Sequence, residues 1–231
     1  MRELLNDYIP LKFGSPLFTK LTKSPRYWDL EHARGKPFVI AIADFHDRHS
    51  MLWTFTGLVE YLYGARHEFQ FSPDGQLVIT PLKIETHKKG SKDVPSGFFF
   101  LPEADNVSAV LFSTTGTMSK FNRMGRLAGF GDPRIRMFRY GAAFKHDPNS
   151  AIPEPFGFEV RPGLVEETWA EGLNMYHNPR AVYPIPVELF PSIAHHRFEE
   201  GLVKSQIPEF HPYWSITHNL VPTPPDAGES E

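Results

Sequence analysis

A continuous apolar run, KPFVIAIADF (36–45), stands immediately before the polar segment HDRHS (46–50) and a segment of helical period, MLWTFTGLVEYLYG (51–64). An unbroken Val/Ile-rich run of this length reads as a strand covered on both faces, since a strand with one wet face would alternate. In the following segment Leu52, Phe55, Leu58 or Val59, and Leu62 recur at helical spacing, Ser50 stands at the cap position and Gly64 supplies the stop. Strand, short polar loop and helix in that order call for a sheet with helices laid on it.

The remaining segments extend that reading. SPLFTKLTKSPRYW (15–28) predicts a helix with Ser15 as N-cap, Pro16 at its first position and Phe18 and Leu21 facing inward, ended by Pro25. HEFQFSPDGQLVITPLKIETH reads as a hairpin turning at SPDG, and NVSAVLFSTTG (106–116) as a second buried strand running into a helix that ends near Gly129. RIRMFRYGAAF (134–144) alternates basic and apolar residues, as a half-buried strand does. Two further helices are expected, at LVEETWAEGLNMY and PSIAHHRFEEG, in a proline-rich C-terminal part. The expected class is α/β or α+β, a mixed sheet with helices packed on it, in a single domain over residues 1–220. The tail VPTPPDAGESE (221–231) is expected to be disordered.

Composition narrows the function classes. With no cysteine, thiolate zinc sites and disulfide frameworks are excluded. No apolar run approaches the ~18 residues of a membrane helix, and the acids in MRELLNDYIP do not suit a signal peptide, so no membrane role and a cytoplasmic location are expected. The net charge of −3 conceals an asymmetry. Residues 1–150 hold 20 Lys and Arg against 15 Asp and Glu, whereas residues 151–231 hold 4 against 12. A basic front of this kind suits an anionic ligand, although differently solvated faces would have the same composition.

Two segments concentrate groups capable of chemistry. Phe38, Ile40, Ile42, Asp44 and His46 share one face of an extended strand, so Asp44 and His46 converge where it ends, with His49 close behind. Open sheets bind ligands at strand carboxyl ends, and carboxylate beside imidazole suits a divalent metal such as Zn or Mn, with Mg as a further candidate. The competing reading is a polar loop that caps the helix. Metallophosphoesterases open with a similar Asp-x-His, but their later GD and GNH motifs are missing here. The second segment, Ser113–Arg139, sets hydroxyls and a glycine between a strand and a helix, where backbone N–H groups can hold phosphate. Lys120, Arg123 and Arg126 fall on one helical face, followed by Arg134, Arg136 and Arg139, with only Asp132 opposing them locally. That stripe is what DNA or RNA backbone contacts require, unless it is a solvated face. His195 and His196 on a helix would diverge by about 100° and so would not share a metal.

The stretches SPLFTKLTKSPRYWDLEHARGKPFVIAIADFH, LVEYLYG, LPEADNVSAVLFSTTGTMSKFNRMGRLAGFG and ELFPSIAHH resemble a family of uncharacterised bacterial proteins, some labelled as glycosaminoglycan attachment sites. Longer members are similar at their N-terminus to PD-(D/E)XK nucleases, whose Asp and Glu-x-Lys bind Mg²⁺. KIETHKK (83–89) is the nearest local imitation here, and it lies outside the shared order. The resemblance implies a nuclease-like or nucleic-acid-associated domain, active or catalytically degenerate. Two alternatives stand beside it: a metal-dependent hydrolase built on Asp44, His46 and His49, and a non-catalytic protein-interaction domain.

Overall fold

The computed structural model describes residues 8–45 and 50–221. In chain order its elements are α1 (Ile9–Thr22), β1 (Val39–Ala43), α2 (Ser50–Tyr63), β2 (Ala65–Phe71), β3 (Leu77–Lys83), β4 (Thr86–Lys89), β5 (Lys92–Pro95) and β6 (Ala109–Ser113). There follow α3 (Met118–Leu127), β7 (Arg136–Ala143), β8 (Glu154–Glu159), β9 (Asn174–His177), β10 (Ala194–Glu199), β11 (Leu202–Gln206) and β12 (Pro212–Leu220). The class is α+β. A mixed five-stranded sheet runs β1-β6-β9-β10-β11, an antiparallel three-stranded sheet runs β12-β7-β8, and β2-β3 and β4-β5 are separate hairpins. No helix among the described residues is long and apolar enough to cross a membrane.

The main core forms where α1 and α2 cover one face of the five-stranded sheet. Ile9, Phe13, Leu17 and Leu21 recur every four residues and are all buried, so α1 presents one apolar edge. The two helices meet through glycine: a Cβ on Gly57 would stand 2.4 Å from Ile9, and one on Gly14 2.9 Å from the Tyr61 ring. Leu58, Tyr61 and Leu62 of α2 are buried against Ile40, Val110, Phe112 and Tyr176 of the sheet. The Tyr63 hydroxyl donates to the carbonyls of His177 (3.0 Å) and His196 (3.3 Å), tying the end of α2 to β9 and β10. Gly64 then takes φ +63, the left-handed conformation that stops the helix.

Several expectations are corrected. β1 is an edge strand: Val39 packs on the cluster of Ala109, Met175 and Ile193 behind the sheet, but Ala41 and Ala43 are exposed, so that second face is covered only at the start of the strand. Alanine there satisfies the apolar pattern without filling a second core. α1 starts at Ile9 with Pro10 in its first turn and holds Pro16 inside, while Phe18 faces out at 52 % exposure. The two C-terminal helices are not formed. Asn174–His177 and Ala194–Glu199 are the inner strands β9 and β10, because strand pairing claims segments with weak helical period. The tail beyond Val221 lies outside the described residues.

A pair of substitutions tests this layout. Val110→Asp, at a fully buried position of β6, places an unpaired carboxylate in the core at a cost of several kcal/mol, and should leave the protein unfolded or insoluble. Ala41→Asp, on the open face of β1, should melt within about 0.5 kcal/mol of the wild type. Equal damage from both, measured by denaturant unfolding, would mean that Ala41 is buried after all.

Candidate functional site

The carboxyl ends of the parallel strands β1 and β6 lie side by side, and the Asp44 amide donates to the Ser113 carbonyl (3.0 Å). The two segments singled out in the sequence therefore meet at one end of the sheet. From Ser113 the chain turns through Thr114–Gly116 into α3, which is capped by Thr117, whose hydroxyl accepts from the Lys120 amide. The second sheet leans over this turn. In it Gly141 is needed because the β12 backbone approaches so closely that a Cβ would sit 2.0 Å from the Trp214 carbonyl.

Between α3, β12 and the ends of β6 and β9 lies a cavity of about 140 Å³. Its hydroxyls come from Thr114, Thr115, Thr117 and Ser119, and its other polar groups include Arg123, Asn174 and His211. Phe112, Phe144 and Tyr213 supply aromatic wall. Thr115 is held in place by Ser113 Oγ (3.0 Å) and the Glu171 carbonyl (3.3 Å).

Asn174 organises the floor. Its Nδ2 donates to the Gly172 carbonyl (3.1 Å), which leaves Oδ1 to accept from Nε2 of both His196 and His211, each at 3.0 Å. Both imidazoles therefore carry their proton on Nε2. His196 Nδ1 then accepts from the Ser205 hydroxyl (2.7 Å). His211 Nδ1 is buried and has no hydrogen-bond partner among the described residues. Burial, with smaller contributions from His211, His195 and His177, lowers the pKa of His196 to about 3, and burial alone lowers that of His211 to about 4. A second pair sits on the sheet's other face. His195 Nε2 donates to the Phe190 carbonyl, so its Nδ1 accepts from His177 Nε2 (2.9 Å). Burial and then His195 lower the pKa of His177 to about 4.

Half of the expected basic stripe lies in the interior. Lys120, Arg123 and Arg139 are 2 %, 4 % and 2 % exposed, and they converge on two carboxylates from the acidic half of the chain. Arg123 makes a bidentate pair with Glu167 (both 2.7 Å) and donates to Thr217. Arg139 reaches Glu171 (2.6 Å) and Glu167 (3.6 Å), and Lys120 donates to the carbonyls of Trp169 and Glu171. Arg126 donates to the carbonyls of Asp132 and Pro133. Only Arg134 and Arg136 stand well exposed, each chelated by a carboxylate, Asp132 and Glu159 respectively. Helical spacing places Lys120 and Arg123 together, while Arg126 turns towards Asp132 and Pro133. It could not show that the face turns inward, because the opposing acids lie more than forty residues downstream.

Asp44 is buried and lines a separate cleft with Lys12 and Lys20. His46 and His49 lie outside the described residues, and among the described residues no group of three or more His, Asp or Glu is placed to hold a metal. Asn174 and His211 escaped the sequence reading. One lay in a segment read as helix, and the other precedes a strand whose only local cue is alternation in PYWSIT. No family model matches the chain, and no curated protein or solved structure matches it.

The buried imidazoles make stability depend on pH. The unfolded chain protonates these histidines near 6.5, whereas the folded chain holds them neutral down to about 4, or about 3 for His196. Below 6.5 the unfolded state binds more protons, so stability that is present at neutral pH is lost as pH falls from 6.5 towards 4. His196→Gln should flatten that loss in urea melts. An unchanged slope between about pH 6 and 4 would mean that His196 titrates normally in the fold.

Proposed function

We propose that this protein is a small-molecule-binding domain whose ligand occupies the cavity between α3 and β12. The observation that carries this reading is the convergence of the Thr114, Thr115, Thr117 and Ser119 hydroxyls, Arg123 and the Asn174–His211 pair on one cavity walled by Phe112, Phe144 and Tyr213. Ligand sites join aromatic wall to a few placed polar groups in this way. A volume of about 140 Å³ takes a small ligand or one group of a larger one.

The same geometry argues against the phosphate-polymer reading of residues 120–139, since a nucleic-acid backbone needs accessible cations and half of these are interior. Duplex DNA should accordingly bind weakly.

A screen of small polar fragments by amide NMR tests the proposal. Binders should move the resonances of Thr114, Thr115, Asn174 and His211. Ser119→Trp, at the exposed rim, should block the cavity and abolish those shifts without lowering the melting temperature by more than a few degrees. Fragments that leave these residues unmoved, or that bind equally well to the Trp variant, would contradict it.

A further inference from the structure

We propose that the free edge of β1 takes an extended peptide of a partner protein as an added strand of the main sheet. The peptide carries carboxylates at positions i and i+4, with an apolar side chain at i+2 between them. This site is separate from the cavity between α3 and β12 and does not depend on it.

The backbone of the edge comes first. β1 closes one side of the five-stranded sheet, and its strand partner is β6. The Asp44 amide donates to the Ser113 carbonyl, and the Phe38 carbonyl accepts from the Ser108 amide (2.7 Å). Backbone groups alternate sides along a strand, so those of Phe38, Ile40, Ile42 and Asp44 turn to β6. Those of Val39, Ala41 and Ala43 turn outward, and among the described residues they have no hydrogen-bond partner. At the sheet's other edge β11 carries Lys204 and leads into Pro208, both of which discourage strand addition. β1 reads VIAIA, with neither charge nor proline.

The cleft beside this edge selects the side chains of the peptide. It has a volume of about 330 Å³ and is lined by Ile40–Asp44 on one side and by Lys12, Phe13, Pro16, Leu17 and Lys20 of α1 on the other. Lys12, Pro16 and Lys20 fall on one row of the helix at four-residue spacing, with the buried Phe13 and Leu17 beside them. The two lysines are therefore about 12 Å apart along α1. In an added strand, residues i and i+4 share one face about 13 Å apart. Two carboxylates at that spacing match the lysines, and the residue between them meets Phe13 and Leu17. Both lysines are exposed, and among the described residues neither is paired with a carboxylate. Lys12 stands over the Tyr8 ring (4.8 Å), and Lys20 donates to the Tyr27 hydroxyl (3.3 Å). The acid on the cleft wall, Asp44, is 5 % exposed, so the accessible charge is positive. A second copy of the chain is a poorer occupant, since pairing β1 with β1 about a twofold axis brings the lysines of both copies to one seam.

The probe is an end-capped peptide with the core Glu-Thr-Val-Thr-Glu, added to the full chain and followed by fluorescence anisotropy and amide hydrogen exchange. The expected result is saturable binding that slows exchange at Val39, Ala41 and Ala43. Lys12→Glu combined with Lys20→Glu, both at exposed positions of α1, should weaken binding about tenfold with little change in melting temperature. That variant should instead favour the peptide Lys-Thr-Val-Thr-Lys. Methylating alternate backbone amides of the acidic peptide should abolish binding in one frame and spare it in the other, because every second amide meets the edge. Equal effects in the two frames, or no binding at all, would overturn strand addition. Equal binding of the acidic and basic peptides to the wild type would overturn the assigned chemistry. Protection of Val39, Ala41 and Ala43 that grows with protein concentration in the absence of peptide would give the edge to a second copy and overturn the partner.

Discussion

The buried ion cluster of Lys120, Arg123, Arg139, Glu167 and Glu171 is the constraint around which the second half of the molecule is arranged. Arg123 extends from α3, Arg139 from β7, and both carboxylates from the segment before β9. One contact set therefore ties a helix, the second sheet and the approach to the first sheet together. Removing one partner of such a pair leaves an unpaired interior charge, at roughly 3–5 kcal/mol, a large part of a domain's total stability. The charge asymmetry along the chain has its meaning here. The acidic half neutralises the basic half internally through Glu154, Glu159, Glu167 and Glu171, which pair with Lys145, Arg136, Arg123 and Arg139.

This arrangement inverts the usual sidedness of a surface helix. α3 buries Lys120 and Arg123, while Met118 and Phe121 remain 75 % and 57 % exposed, Phe121 packing on an equally open Trp169 at 5.0 Å. Cations in the interior require polar neighbours, and hydroxyls, carbonyls and the Asn174–His211 pair collect around them. A cavity that joins these polar groups to aromatic wall is the natural product of packing two sheets across such a helix, since groups with fixed hydrogen-bond directions do not fill space as aliphatic side chains do.

How much of this is legible in the sequence depends on the range of the interaction involved. β6, β7, the β2-β3 hairpin and α2 follow from local period and turn chemistry, and SPDG and Gly64 mark their ends. β9 and β10 do not, because their strand character comes from pairing with β6 and β11 and from the burial of Tyr176 and His196. The turn at Ser113–Thr117 was legible, since a strand, hydroxyls and a helix start are contiguous there. His211 was not, because its role depends on Asn174, thirty-seven residues earlier in the chain. The basic residues at 120–139 show the same limit: their grouping is local, whereas their burial depends on acids far along the chain.

The most direct test of the central claim is a double-mutant cycle on Arg123 and Glu167, using Arg123→Met and Glu167→Gln singly and together in urea unfolding. A buried bidentate pair predicts a coupling energy of about 2 kcal/mol, with each single variant far less stable than the double variant would suggest by additivity. A coupling below about 0.5 kcal/mol, the range of solvent-exposed pairs, would place these side chains at the surface and contradict the inward-facing cluster.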